Sequence, residues 1–367
     1  MDRTKIVYYI SDTGWGHLTR SLRIIEELLL RGYKINVINS YVEIFEPLIR
    51  NYPESLSVYK PHIKGDPQLP YGYPFNLREI EYSIREVLKN KKDWLKVETE
   101  RLERIKPDII ISDITPWSFI IGDKLKIPAI AITNINWWDE YRFILKDKDN
   151  LILDEFYEAY EKATCALILP FESLNTPFKN IVRIPIVTRK INWERVRERR
   201  RELLSFYRPT LICTVTLGGH YLRNNDLINK VKKVIHSISE REKNILFIGR
   251  SDFRVENTKF IEVNEFTEFH ELIALSDFII GKISYGILSE MVLSDISGIL
   301  FYRAMVLEDI INADNISEAK WGITIPFEEE NFYVDLANLF ISERSQKSKR
   351  LLQDGTEKII EWINRYV

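Results

Sequence analysis

The sequence predicts an α/β protein of two consecutive domains, each built on a parallel β-sheet. A strand-like segment at Lys5–Ile10 is followed by a glycine-containing loop, a helical pattern and a second strand-like segment at Lys34–Asn39. That order is a βαβ unit, which brings two strands side by side in parallel. The same beginning recurs at Thr210–Gly219, where a strand-like segment ends in a double glycine. A chain of 367 residues is long enough for two such domains.

The first domain is predicted to span residues 1–187. Its first helix has apolar residues at helical spacing, from Leu18 to Leu29, and ends at Arg31-Gly32. Residues 52–76 are rich in proline, glycine and aromatics and are predicted to be an irregular, functional loop. A charged helix is expected at Leu77–Ile105. Buried strands are expected at Lys106–Asp113 and Lys126–Asn134, and further strands at Ala163–Pro170 and Asn180–Val187.

The second domain is predicted to span residues 188–345. It opens with a charged helix at Arg189–Leu204. Further strands are expected at Thr210–Gly219, Asn244–Gly249, Lys259–Asn264, Asp277–Gly281 and Ser297–Arg303, with helices between them. The last residues, Ser345–Val367, have an amphipathic helical pattern. Because ligands of open α/β sheets bind outside the carboxyl ends of strands, two such domains are expected to hold a ligand in a cleft between them.

Composition excludes several classes of protein. Lys and Arg total 52 and Asp and Glu total 54, so the near-neutral chain is not a general nucleic-acid binder. Two cysteines, Cys165 and Cys213, are too few for a disulfide framework or a cysteine-rich zinc site. No apolar run reaches the roughly 20 residues of a membrane span, and the N-terminus has no signal-peptide pattern. We therefore expect a soluble, cytoplasmic protein; the scarcity of glutamine fits a thermophile or an AT-rich genome.

The first candidate site is the histidine loop, residues 11–20, which follows the first strand. Gly14 and Gly16 let backbone amides approach an anionic ligand, and His17 stands where a general base would face that ligand. Asp113 ends a buried strand of the same sheet and could orient the histidine, as the carboxylate of a catalytic triad does. The alternatives are a helix-capping histidine in a tight turn and an Asx turn or N-cap at Asp113.

The second domain offers a candidate phosphate site. Gly218 and Gly219 follow its first strand, and the segment 281–290 passes from a buried strand through small residues into a helix. Backbone amides and hydroxyls at such a helix start can hold a diphosphate. The candidate ligands there are Lys282, Ser284, Tyr285, Gly286 and Glu290, the last through ribose hydroxyls. The alternatives are an ordinary strand-to-loop turn and a first-turn acid that complements the helix dipole.

Three further groups each allow two interpretations. Glu308 and Asp309 suit sugar hydroxyls, or are ordinary acids at a helix start. Trp117, Trp137 and Trp138 could stack on sugars, or pack in the core. The basic run Arg195–Arg201 is a solvated helix face, or a surface that docks on an anionic membrane near a lipid-linked acceptor.

These motifs resemble those of the GT-B glycosyltransferase superfamily. Gly14–His17 looks like the first loop of their acceptor domain, and GKISYGILSE at 281–290 looks like their donor-phosphate helix start. The resemblance implies two Rossmann-like domains facing across a cleft, with the acceptor on the first and a nucleotide-sugar mainly on the second. It also implies His17 as base, Asp113 as its support, Glu290 at the ribose and Phe266 at the nucleobase. The C-terminal helix, 346–367, would cross back to the first domain.

A closer resemblance is to the glycosyltransferase-like N-terminal region of plant L-arabinokinases. It runs through KPDIIISD, AITNINWWDEY, the segment 184–189 and the two glycine loops, and covers residues 5 to about 345 without a kinase domain. Two positions depart from the superfamily pattern. Ser284 stands where many members have glycine, and the bulky Trp15 separates the glycines of the histidine loop.

The sequence thus predicts an inverting hexosyl- or N-acetylhexosaminyl-transferase. The donor would be a nucleotide-diphospho-sugar, with UDP-sugars favoured, and the acceptor a hydroxyl group. No acidic cluster resembles a metal site, so no obligatory metal or cofactor is expected. The alternatives are a nucleotide-sugar hydrolase in which His17 activates water, a non-hydrolysing epimerase, and a sugar-nucleotide sensor without catalysis.

Overall fold

The chain forms two compact units that are not simple halves of the sequence. A computed structural model describes residues 3–69, 73–146, 150–173, 175–218, 224–263, 269–343 and 353–367. The first unit comprises Met1–Val187, Met305–Glu308 and Asp354–Val367, and the second comprises Thr188–Ala304 and Asp309–Gln353. Each unit is built on one parallel sheet, which confirms the predicted fold class.

The sheet of the first unit has seven parallel strands within the described residues. They are β1 (Lys5–Ile10), β2 (Lys34–Ile38), β3 (Leu56–Tyr59), β4 (Ile109–Asp113), β5 (Ala129–Thr133), β6 (Cys165–Ile168) and β7 (Ile181–Arg183). Their order across the sheet is β3-β2-β1-β4-β5-β6-β7. The direction of winding reverses between β1 and β4, and such a switch point leaves a crevice at the carboxyl ends of those strands.

Helices cover both faces of this sheet, as parallel sheets require. They are α1 (Trp15–Leu30), α2 (Glu46–Asn51), α3 (Leu77–Ile105), α4 (Trp117–Leu125), α5 (Trp137–Leu145) and α6 (Asn150–Tyr160), with a 3₁₀ turn at Val42–Phe45. The long helix α3 begins at Asn76, whose side chain accepts a hydrogen bond from the Arg78 amide. It buries Ile80, Ile84 and Val87 at helical spacing.

The second unit repeats this architecture. Its strands are β8 (Leu211–Thr216), β9 (Ile245–Gly249), β10 (Lys259–Glu262), β11 (Phe278–Lys282), β12 (Ser297–Tyr302) and β13 (Gly322–Pro326). They are all parallel, in the order β10-β9-β8-β11-β12-β13, so the switch point lies between β8 and β11. The helices are α7 (Trp193–Tyr207), α8 (Asn225–Arg241), α9 (Phe269–Leu275), α10 (Tyr285–Leu293), α11 (Leu307–Glu318) and α12 (Tyr333–Glu343), with a 3₁₀ turn at Ser251–Phe253.

The final helix, α13 (Thr356–Ile363), belongs to the first unit and packs against α1. The start of α13 is anchored by Gly355, whose backbone amide donates a hydrogen bond to the Ile186 carbonyl at 2.7 Å. A Cβ on this glycine would overlap the carbonyl of Pro185. Arg31, which follows the last residue of α1, pairs with Glu357 at 2.6 Å, and Arg23 of α1 pairs with Asp354 at 3.6 Å.

Two edge strands were not predicted from the sequence. β3 lies in the segment expected to be irregular, and β13 contains both a glycine and a proline. Edge strands are short and half-solvated, so they lack the apolar runs that reveal central strands.

Trp117 and Trp137 are buried and stack on Phe156 and Tyr141 respectively, which favours the core interpretation for both.

Candidate functional site

His17 and Asp113 meet at the switch point of the first sheet. The helix α1 starts after Gly14, whose positive φ of 83° turns the chain out of β1, and it carries Gly16 and His17 in its first turn. Asp113 is the last residue of β4 and is paired in register with Ile10, the last residue of β1. The two side chains are therefore neighbours because they follow adjacent strands.

The imidazole and the carboxylate form a direct hydrogen bond. His17 Nδ1 lies 2.8 Å from Asp113 Oδ1, and both residues are buried, with 8% and 0% of their surface exposed. Arg20 Nη2, which can only donate, also lies 2.8 Å from Nδ1; in the tautomer with the proton on Nδ1, that proton is donated to the ionised carboxylate, which can only accept. This tautomer leaves the Nε2 lone pair to act as a base, the arrangement of the histidine and aspartate in a catalytic triad.

Arg20 holds the carboxylate of this pair in place, a role not predicted from the sequence. Its Nε donates to Asp113 Oδ2 at 2.7 Å and its Nη2 to Asp113 Oδ1 at 2.5 Å, a two-pronged contact that fixes the carboxylate plane. Burial alone would raise the pKa of Asp113. The Arg20 guanidinium, followed by His17, outweighs burial and lowers that pKa to about 2. Asp113 is therefore ionised at neutral pH.

The same network reaches Glu308. Arg20 Nη1 donates to Asn134 Oδ1 at 2.7 Å, and Asn134 Nδ2 donates to Glu308 Oε1 at 3.0 Å. The buried carboxylate of Glu140 accepts the amides of Leu307 and Glu308 at 3.0 and 3.2 Å, which anchors the start of α11 in the first unit. Glu308 thus belongs to one connected set of polar groups with the predicted base.

Asp66 is a second buried carboxyl group close to this network, and no sequence pattern indicated its role. Its Oδ2 accepts a hydrogen bond from the Thr115 hydroxyl at 2.9 Å. Burial, reinforced by the negative charge of Asp12, raises the pKa of Asp66 to about 8, although the Thr115 and Trp137 side chains oppose the shift. At neutral pH the acid form therefore predominates. Asp66 lies in the loop expected to be irregular, where no periodicity marks a residue as buried.

In the second unit, the predicted phosphate ligands surround the switch point between β8 and β11. Gly218 follows β8 with a φ of 73°, and the space beside its Cα is open. Ser284 caps α10 by accepting the Ile287 amide at 3.4 Å, and Tyr285 and Gly286 form the first turn of that helix. The free amides of a helix start favour an anion. Gly219 lies outside the described residues, as does Phe266.

A buried charged cluster lies beside this helix start. Asp309 is fully buried and accepts hydrogen bonds from Arg303 Nε at 2.7 Å and Arg303 Nη2 at 2.8 Å, while Lys282 Nζ lies 3.4 Å from its Oδ1. Burial would raise the pKa of Asp309, but Arg303 and Lys282 outweigh it and lower the pKa. Asp309 is thus held within the protein, and its predicted contact with sugar stays a prediction.

Glu290, predicted to bind ribose, is buried in α10 and paired with Arg189 at 2.7 Å. Burial raises its pKa, although the Arg189 guanidinium opposes the shift.

Part of the basic run Arg195–Arg201 on α7 forms ion pairs within the second unit. Arg195 forms a two-pronged contact with Glu271 at 2.6 and 2.7 Å, and Arg200 pairs with Asp277 at 2.9 Å.

Two features are absent from the described residues: a metal centre and a membrane-spanning helix. No group of three or more histidine, cysteine, aspartate or glutamate side chains is placed to hold a metal ion in that part of the chain. None of its helices combines the length and the apolarity needed to cross a membrane.

Solved glycosyltransferase structures share this architecture over the whole chain. UGT89C1 of Arabidopsis thaliana superposes with a TM-score of 0.70 at 12% identity, covering 100% of both chains. CalG4, the calicheamicin glycosyltransferase, gives 0.60 at 12% identity over 100% of this chain and 98% of its own. MurG of Acinetobacter baumannii gives 0.61 at 11% identity over 99% of both chains. The chain has the GT-B fold. At these identities the likeness establishes the fold alone.

One curated relative adds a match in sequence. The L-arabinokinase of Arabidopsis thaliana is 23% identical over 288 residues, which are 77% of this chain. The match spans only 27% of the length of that relative, so the activity of the whole relative does not transfer. No family model matches the chain.

Proposed function

We propose that this GT-B chain is an inverting glycosyltransferase that moves a sugar from a nucleotide-diphospho-sugar to a hydroxyl acceptor. The observation that carries the proposal is the His17–Asp113 hydrogen bond of 2.8 Å at the switch point of the first sheet. That pair supplies a base whose Nε2 lone pair is available, beside a carboxylate that stays ionised at neutral pH. The acceptor binds to the first unit and the donor mainly to the second.

The reaction is a single displacement at the anomeric carbon. His17 Nε2 removes the proton of the acceptor hydroxyl while its oxygen forms the new bond to that carbon. The bond from the same carbon to the diphosphate oxygen breaks, and the nucleoside diphosphate leaves with the bonding electrons. One displacement inverts the configuration of the anomeric carbon. Asp113 stabilises the imidazolium ion formed, and Arg20 keeps the carboxylate oriented.

The second unit is proposed to stabilise the departing diphosphate. The backbone at Gly218 and at the start of α10, Ser284–Gly286, supplies hydrogen-bond donors, and Lys282 supplies positive charge. These groups are proposed to stabilise the charge that develops on the diphosphate as its bond to the sugar breaks.

UDP-sugars are the favoured donors. UGT89C1 has been solved with UDP and with UDP-L-rhamnose, and in a further complex with quercetin. We extend the donor class, and not the rhamnose, to this chain. The transferred group is proposed to be a hexose or an N-acetylhexosamine.

Replacing the base tests the proposal. His17→Ala should abolish turnover of UDP-sugars and leave UDP affinity within about twofold, because the imidazole acts on the acceptor and not on the nucleotide. His236→Ala removes an exposed histidine of α8 and is the matched control. Isothermal titration measures UDP affinity, and chromatography of products measures transfer. Full activity in His17→Ala would refute the assignment of the base.

The same assay separates transfer from hydrolysis. Sugar release that needs an added acceptor identifies a transferase, whereas free sugar released without acceptor identifies a hydrolase. Tight UDP-sugar binding with neither product would identify a sensor. Either of the last two results overturns the proposed function.

A further inference from the structure

A cavity with a mixed polar and apolar lining opens on the first unit between residues 62–68 and helix α3. Its volume is about 410 Å³, within the range of small-molecule sites. Its lining includes Asp66, Gln68, Tyr82, Ser83, Glu86 and Asn90. None of them belongs to the predicted catalytic or donor sites.

The walls of this cavity are fixed to each other by hydrogen bonds. The backbone amide of Gln68 donates a hydrogen bond to the Ser83 hydroxyl at 2.9 Å, which connects the loop to α3. Lys64 Nζ donates to Gln68 Oε1 at 2.9 Å within the loop. Lys64, Gln68 and Ser83 are therefore positioned before any ligand arrives, which lowers the entropic cost of binding.

The lining chemistry suits a ligand with several hydroxyl groups. Asn90 and Gln68 carry amides, which both donate and accept hydrogen bonds, and Glu86 carries a carboxylate, which accepts. Each sugar hydroxyl also donates and accepts, so such a mixed set can satisfy several of them at once. Tyr82 has 66% of its surface exposed at the rim, and its ring offers an apolar face for the C–H face of a sugar.

Asp66 joins this cavity to the proposed base. It lines the cavity, and its Oδ2 accepts from Thr115, two residues beyond Asp113. The loop is also held against the histidine loop, because the Thr13 hydroxyl donates to the Pro67 carbonyl at 3.1 Å. The segment that lines the cavity is therefore in direct contact with the histidine loop.

We propose that this cavity binds the acceptor of the transfer reaction and that the acceptor is a saccharide. The assignment rests on the proposed function, since it names the second substrate of that reaction. The reacting hydroxyl belongs to the sugar residue nearest Asp66, and the outer part of the saccharide stacks on Tyr82.

Binding of saccharides can be measured without turnover. Saturation-transfer NMR would screen methyl glycosides of common hexoses, pentoses and N-acetylhexosamines, their disaccharides, and quercetin as the planar aromatic probe. The strongest saccharide would then be titrated into the wild type, Tyr82→Ala and Asn90→Ala. Phe332→Ala is the matched control, because Phe332 is 64% exposed and lies in the second unit.

We expect saccharides to bind, and Tyr82→Ala and Asn90→Ala each to weaken binding about fivefold to tenfold, the usual size of one stacking contact or one hydrogen bond. Phe332→Ala should change nothing. Failure of every saccharide, binding of quercetin alone, or unchanged affinity in both cavity variants would overturn the assignment.

Kinetics keep this test separate from that of the proposed function. In the transferase assay Tyr82→Ala should raise KM for the saccharide acceptor about fivefold to tenfold and leave UDP affinity unchanged. Turnover with an unaltered acceptor KM overturns the cavity assignment and leaves the glycosyltransferase standing. A chain that binds saccharide at Tyr82 but never consumes a UDP-sugar refutes the proposed function instead.

Discussion

Replacing Asp66 by asparagine should remove a pH dependence that this buried carboxyl group gives to the folding stability of the first unit. An exposed aspartate in the unfolded chain has its ordinary pKa of 3.8, whereas burial raises the pKa of Asp66 to about 8 in the folded state. Between these values the folded chain holds a proton that the unfolded chain has lost. The stability of the wild type therefore falls as pH rises, by up to roughly 1.4 kcal/mol for each pH unit.

Asparagine matches aspartate in shape, cannot ionise, and can still accept the hydrogen bond from the Thr115 hydroxyl. The variant should gain on the wild type step by step from pH 5 to pH 8. Asp113 has the opposite shift, so it stabilises the fold above pH 4 and that contribution is lost only as pH falls towards 2. The two effects therefore occupy separate pH windows.

Urea unfolding at pH 5, 6, 7 and 8, followed by tryptophan fluorescence, measures the difference in unfolding free energy between the variant and the wild type. Asp93→Asn, at an exposed position on α3, is the matched control and should give a constant difference. If the difference for Asp66→Asn is also constant across this range, the buried acid form of Asp66 is refuted.

Three further substitutions test other contacts. Gly355→Ala should destabilise the first unit by about 1–3 kcal/mol in urea, because its Cβ overlaps the Pro185 carbonyl; an unchanged midpoint would contradict this packing. Lys282→Met should weaken UDP binding about tenfold or more in calorimetry, since a charged partner of the phosphates is lost, and unaltered affinity would remove Lys282 from the donor site. Arg20→Lys keeps the charge but loses the two-pronged contact with Asp113, so kcat should fall with little change in the acceptor KM; an equal kcat would deny the positioning role.

The contact between His17 and Asp113 could be predicted from the sequence because of a property of parallel sheets. His17 and Asp113 follow separate strands, and the carboxyl ends of neighbouring strands meet at one edge. Arg20 is the last residue of the histidine loop, yet nothing in the sequence showed that its guanidinium would bind the Asp113 carboxylate. The burial of Asp66 could not be predicted, because its hydrogen-bond partner Thr115 is 49 residues away in the sequence. The segment around Asp66 also lacks the hydrophobic periodicity that would mark a buried residue.

Two adjacent acids show the limit of such reasoning more sharply. Both Glu308 and Asp309 were predicted to suit sugar hydroxyls or to be ordinary acids at a helix start, but they fall in different units. Successive residues of an α-helix point about 100° apart, so neighbours at a helix start can face different surroundings. Glu308 joins the network of Asn134, whereas Asp309 turns to Arg303. Only the fold around α11 could decide which acid goes where.

The first unit draws on three separated parts of the chain, and this affects the order of events during synthesis. Residues 1–187 can pair their strands early, but α1 lacks its neighbour α13 until residues 354–367 have left the ribosome. Glu140 and Asn134 likewise wait for residues 305–308. Domains that are continuous in sequence fold as they emerge, N-terminal first. Here the unit that carries the proposed base is the last to be finished, so a truncated product would lack a complete first unit.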